Sequence, residues 1–163
     1  MNSKICAKFE FGRTLDGEPI LWRVLDAADG KLLVISEYII TAKPFDEKSS
    51  DYDKSWIKKF LEDYFIHNIF TKDEEKYVEK IFLLSKEEVK KYFKNKEMRK
   101  CKGTKAAILD QLDEPLYACW WTRTAEYPYS TFVCREDGSL YWSIDVYKHK
   151  VGVRPALWLK IES

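Results

Sequence analysis

Histidine is scarce in this chain: His67 and His149 are the only two among 163 residues. A Ser-His or Cys-His nucleophile pair would have to recruit one of them. His67 lies in "YFIHNIF", in or at the end of an amphipathic helix, where a helix-end histidine is the plain reading. His149 lies in "YKHKVG", which reads as a solvated loop. The six glycines are scattered, and neither GxGxxG nor GxxxxGK occurs, so no phosphate-cradling loop is encoded. HExxH and GxSxG are absent as well. Of four cysteines, Cys6, Cys101, Cys119 and Cys134, none forms a CxxC pair, which argues against a structural zinc site. No apolar run approaches the ~20 residues of a membrane span. The N-terminal "MNSKICAKFEFGR" has no leader-like apolar core. The expected compartment is the cytoplasm, with reduced thiols, and no cofactor or metal is expected. Charge of one sign is lacking too: 28 basic against 27 acidic residues give a net of +1, so no global field steers a polyanion to the molecule.

What the chain has is aromatics, 15% of residues, with 6 Trp, 10 Tyr and 9 Phe. Such a load builds a core and leaves rings over for the surface, where they are favoured contact residues. "CWWTRT", residues 119–124, poses the problem sharply. Neighbours in a strand point to opposite faces, so Trp120 and Trp121 require either a strand covered on both sides or one exposed indole. The expectation is a covered strand, with one ring in the main core and the other under helices or a loop.

The order of elements reads strands, helices, strands. "PILWRVLDAADGKLLVISEYII" is a hairpin turning at Asp29-Gly30, with both faces apolar and hence central in its sheet. Ser55 caps a helix in which Trp56, Ile57, Phe60, Leu61, Tyr64 and Phe65 recur at helical spacing, predicting one buried face. Thr71 with Glu74, and Ser85 with Glu88, fit capping boxes. A short strand is expected at 81–84, and a lysine-rich helix over 86–105 with Val89, Tyr92 and Phe93 as its apolar stripe. "YACWWTRT", "STFVCRED", "GSLYWSIDV" and "VGVRPALWLKI" are candidate strands. This segregation predicts an α+β fold, and no linker or repeat divides the chain, so residues 1–163 read as one domain.

Few polar residues stand in apolar settings. Arg123 in "CWWTRT" and Arg154 in "VGVRPALWL" each need a carboxylate or carbonyls if buried. They read either as interior pairings or as pocket residues for an anion. Asp145 interrupts the aromatic run "WSIDVY". An enzyme with an unrecognised site would have to be built around Arg123, Asp145 and Arg154. Residues 86–105 carry nine Lys or Arg against three Glu, whereas 106–147 carry seven Asp or Glu against two Arg. The basic run is either a solvated helix face or a weak nucleic-acid contact. Cys119 and Cys134 fall in adjacent candidate strands, as buried apolar residues or as a close pair.

The succession "FGR", "ILWRVL", "LLVISEYII", "SWIKKFLEDYF", "IFLLSKEEVKKYF", "WWTRT" and "GVRPALWL" resembles the bacterial and phage domains of unknown function named DUF6273. "WWTR" and "GVRPAL" at this separation carry most of the likeness. The resemblance implies a fold similar to C-type lectins and to the variable proteins of diversity-generating retroelements. Antiparallel sheets would have their N- and C-terminal strands paired, with two to three flanking helices and a loop-rich second half for display. It implies scaffold roles for Trp120, Trp121, Arg123, Gly152, Arg154 and Pro155. The display surface would be residues 125–150, with Tyr127, Tyr129, Arg135, Tyr141, Trp142, Tyr147 and His149 as contact residues. The calcium signatures of sugar-binding lectins are missing, and "TAEYPYS" replaces the Ser-Pro-Gly usual after the arginine. The expected function is a non-enzymatic module that binds a protein partner, such as an inhibitor of a host protein carried by a phage or mobile element.

Overall fold

The computed structural model describes residues 6–112 and 116–161; the leader-free reading of the N-terminus rests in part on residues 1–5, outside that range. The architecture is mixed α+β, with two five-stranded, mainly antiparallel sheets and short helices. The first sheet has the order β1-β2-β3-β10-β5, from Lys8–Arg13, Pro19–Ala28, Lys31–Ser36, Ala156–Lys160 and Val78–Phe82. The second has the order β4-β9-β6-β7-β8, from Thr41–Ala42, Gly152–Val153, Trp120–Tyr127, Ser130–Cys134 and Ser143–Asp145. The β2–β3 hairpin closes at Asp29 (φ 54°) and Gly30 (φ 75°). Two successive positive φ values match the strand twist, which is why Asp-Gly marks such turns. Both strands are interior to their sheet, as their two apolar faces require.

The first and last strands share a sheet but do not pair. β1 bonds only to β2, while β10 lies between β3 and β5. The expectation of directly paired terminal strands is therefore corrected: the tight Asp-Gly hairpin places β2 and β3 between them. The strand expected at 81–84 begins earlier, at Val78, because α3 (Lys72–Glu75) is a single turn. The chain crosses between the sheets four times: from β3 to β4, from β4 to β5, from β5 to β6, and from β9 back to β10 through Arg154 and Pro155.

Ser55 accepts from the Lys58 amide and starts a helix that runs from α1 (Trp56–Lys59) through a π-wound middle, Phe60–Phe65, into α2 (Ile66–Ile69). Its buried stripe is Ile57, Leu61, Phe65 and Ile69, one residue every four. Trp56 and Tyr64 were expected on that face and instead stand 41% and 55% exposed. They sit one position ahead of the buried stripe and stack on the half-buried Phe60, at 4.9 and 5.7 Å. The lysine-rich stretch is not one helix. It breaks into α4 (Lys86–Tyr92) and α5 (Lys96–Arg99), because Phe93 turns extended to bury its ring and Asn95 caps a new start. A last helix, α6 (Lys105–Leu109), follows.

Two apolar clusters cover the two faces of the sheets. One contains Trp22, Leu61, Phe65, Leu157 and Trp121. The other contains Ile35, Val89, Phe93, Cys134 and Trp120. Both indoles are buried, one in each cluster, so β6 is covered on both sides. Their N–H groups donate to Arg99 O (3.2 Å, Trp120) and Lys43 O (2.9 Å, Trp121). None of the described helices is long and apolar enough to cross a membrane.

Candidate functional site

The second sheet ends in an open edge, β8, which bonds only to β7. Rings gather at both ends of this ladder. At the β6–β7 tip stand Tyr127 and Tyr129, and Val146 N donates to Tyr129 O (3.0 Å), which brings Tyr147 to the same end. The tip is anchored from below: Ser50 Oγ donates to Tyr127 O (2.6 Å) and Ser50 N to Pro128 O (3.0 Å). At the other end Val133 N donates to Trp142 O (3.1 Å), placing Tyr141 and Trp142 beside the Arg135–Ser139 turn. Tyr141 is 73% exposed and Trp142 57%, and Tyr127, Tyr129 and Tyr147 are exposed to a similar degree. The two groups are separated by β8, roughly 13 Å of strand, which fits within the footprint of one protein partner.

Arg135 links the second group to a cavity. Its guanidinium lies 5.3 Å from the Trp142 ring and pairs with Glu136 at 3.1 Å. The cavity, about 690 Å³, is lined by Arg135, Glu136, Lys148, His149 and Lys150, with Cys119, Ile144 and Val151 as its less polar wall. The Cys119 thiol donates to Glu136 Oε2 at 3.3 Å. Burial, reinforced by that carboxylate, pushes the thiol up to about 12, so Cys119 stays protonated and is a poor nucleophile. Glu136 is held below the usual carboxylate range chiefly by the hydrogen bond from Arg135. Sequence reasoning placed Arg135 and His149 here but missed the cavity and its lysines. The signal was "KHK", a basic triplet beside an otherwise acidic stretch.

Cys119 and Cys134 are not a pair. Cys134 sits opposite Trp120 in the ladder and shares its cluster with Cys101, while Cys119 packs against the other cluster. All four cysteines are free thiols, and among the described residues no three His, Cys, Asp or Glu side chains converge on a metal-sized site.

The remaining polar residues have separate tasks. Arg123 Nη1 donates to Leu83 O (2.7 Å) and pairs with Glu88 at 2.5 Å, while its own amide donates to Leu84 O (2.9 Å). Asp145 accepts from the Tyr147 hydroxyl at 3.2 Å. Arg154, 3% exposed, lies beside both the Phe93 and the Trp120 rings, at 4.9 and 4.8 Å. Its Nε donates to Ser36 O (2.7 Å) and its Nη2 to Glu37 O (3.2 Å). Both carbonyls stand at the end of β3, so Arg154 ties the β9–β10 crossing to the β3–β4 crossing. Gly152 permits a close contact on the same return: a Cβ there would lie 2.8 Å from Cys119 O and the Ile39 side chain. Pro155 leaves its carbonyl to Ser36 N at 3.0 Å. Arg123, Asp145 and Arg154 share no hydrogen-bond partner among the described residues.

Residues 71–161 match the family model described as Domain of unknown function (DUF6273). The chain belongs to that family. The match contains "WWTR" and "GVRPAL" and leaves the strand hairpin and the Trp56–Ile69 helix outside it. No curated protein and no solved structure matches the chain.

Proposed function

We propose that the domain is a non-enzymatic binding module that recognises a protein partner through residues 125–150. The observation that carries this reading is the set of five exposed rings at the two ends of the open β8 edge: Tyr127, Tyr129, Tyr141, Trp142 and Tyr147. Large rings left in water at this density are unfavourable for an isolated domain and favourable for one that covers them. Tyr and Trp give wide contact at little cost in side-chain entropy. The backbone beneath them is fixed by the second sheet and by Ser50, so little ordering is required on binding. On this reading the fold is used as in C-type-lectin-like display domains, with a fixed frame and a contact surface in the second half. Its setting is the cytoplasm, where a phage- or element-borne inhibitor of a host protein would act.

The test is affinity capture from host lysate with the wild-type chain and a Tyr141→Ala/Trp142→Ala variant, read by mass spectrometry. One partner retained by the wild type and lost by the variant is expected. The variant's melting temperature should stay within about 2 °C, as for exposed residues. A large drop in stability, or equal capture by both proteins, would remove these rings from the interface.

A further inference from the structure

We propose that the cavity between β7 and the 145–151 loop binds an oxyanion, a phosphate or carboxylate group. Lys148, His149 and Lys150 line it, and among the described residues none of the three has a carboxylate partner. What sets these residues apart is their convergence on one cavity, since most described lysines lack a carboxylate partner and only Lys8, Lys31, Lys58 and Lys100 have one. Within the cavity only Arg135 is compensated, by Glu136. Three basic residues thus line a concave space backed by Ile144, Val151 and a thiol that carries no charge, with the Lys148 ammonium 5.6 Å from the Tyr147 ring. A low-dielectric wall behind like charges focuses their field into the cavity and raises the local concentration of anions.

The basic loop is held in place rather than draped. Lys148 N donates to Asp145 O (3.1 Å), Phe45 N to Val146 O (2.9 Å), and Lys43 N to Val151 O (3.1 Å). Gly152 N then donates to Cys119 O (2.8 Å), fixing the return to the sheet. The volume of about 690 Å³ suits a group of many atoms rather than a lone inorganic ion. Two sources fit this chemistry: a free small polyanion, and the acidic side chains of the partner proposed above. Only the second depends on the binding-module reading.

The experiment titrates the full chain by calorimetry with inorganic pyrophosphate, citrate and an acetylated octaglutamate peptide, in wild type and in Lys148→Gln/Lys150→Gln. Both lysines are exposed, so the variant folds, which its melting temperature verifies. Saturable binding is expected, weakened at least about tenfold in the variant and weakened again as salt shortens the screening length. Saturation by pyrophosphate or citrate assigns a free anion; saturation by the peptide alone assigns the partner's carboxylates. Absence of saturation by all three probes up to about 10 mM, a floor of roughly 3 kcal/mol of binding, overturns the proposal. So does equal binding by wild type and variant. Lysate capture that persists in the lysine variant while anion binding fails would leave the binding-module reading standing and remove only this one.

Discussion

Arg154 carries a guanidinium into the interior, where it is buried. Such a group is tolerated because two carbonyls accept its protons, the Phe93 and Trp120 rings lie beside it, and Glu37 lies 3.9 Å away. Arg154→Leu removes the guanidinium donors from both carbonyls, leaving Glu37 O only the Cys101 thiol at 3.4 Å among the described residues, and should lower unfolding stability in urea by about 3–5 kcal/mol. Arg154→Lys should not rescue it, since an ammonium cannot reach the separate Ser36 and Glu37 carbonyls that Nε and Nη2 serve. Glu37 itself receives Lys8 and Arg23, the latter at 2.8 Å. Burial opposes its ionisation, but the hydrogen bonds from Arg23 and Lys8 outweigh this and hold its pKa below the ordinary 4.5. The unfolded chain therefore takes up the Glu37 proton more readily than the folded one. Its contribution to stability is complete above about pH 4.5 and is lost as pH falls through the lower folded value. Glu37→Gln should flatten the fall of melting temperature with pH below that point; parallel curves for the two proteins would refute the assignment. The need of Arg154 for interior partners was legible in "VGVRPALWL". The identity of those partners was not, because Ser36 and Glu37 lie more than a hundred residues away and offer backbone oxygens, which carry no sequence signature.

Local chemistry was the most legible layer at the scale of single elements. Ser55, Thr71 and Ser85 cap helices as read, and both capping boxes form, with Glu74 and Glu88 returning to the cap amides at 2.8 Å. These devices need only neighbours along the chain. Glu88 shows where that reading stops: the same Oε1 that closes the box also accepts Arg123 Nη1 at 2.5 Å. One carboxylate thus joins α4 to β6. Ser85→Ala should cost about 1 kcal/mol, the usual loss of a cap. Glu88→Ala should cost about 2 kcal/mol, because it also strips the charge partner of Arg123. Glu88→Gln should fall between, keeping an acceptor for Ser85 N while losing the ion pair. Urea midpoints rank the three, and equal losses for Ser85→Ala and Glu88→Ala would mean the Arg123 contact contributes nothing. The break at Phe93 and the π-wound Phe60–Phe65 were illegible for the opposite reason. Each follows from what the ring or stripe must pack against, and that lies in strands distant in sequence. The aromatic part of the candidate site was named from the family resemblance, whereas the cavity exists only once the 148–150 triplet folds back beside Arg135.

For the molecule as a whole, adjacent indoles turn one strand into a link between two cores. Trp121 meets Phe45 at 5.5 Å in one cluster, and Trp120 meets Phe93 at 6.4 Å in the other. Neither cluster belongs to one sheet: each draws strands from both, and the crossings at β3–β4 and β9–β10 run between them. A strand shared in this way makes loosening of either core felt in the other, so the two should melt together. Trp120→Phe and Trp121→Phe each reduce a buried ring and remove the indole donor of a backbone carbonyl, Arg99 O in one case and Lys43 O in the other. Each should lower stability by about 2–3 kcal/mol, a shrunken core side chain plus one lost hydrogen bond. In both variants, as in the wild type, far-UV circular dichroism and tryptophan fluorescence should trace one coincident transition. If either variant splits the transition, the clusters are separate folding units and β6 does not couple them. The aromatic edge would then rest on a frame that the first sheet does not stabilise, and preorganisation of the β8 surface would have to come from the second sheet alone.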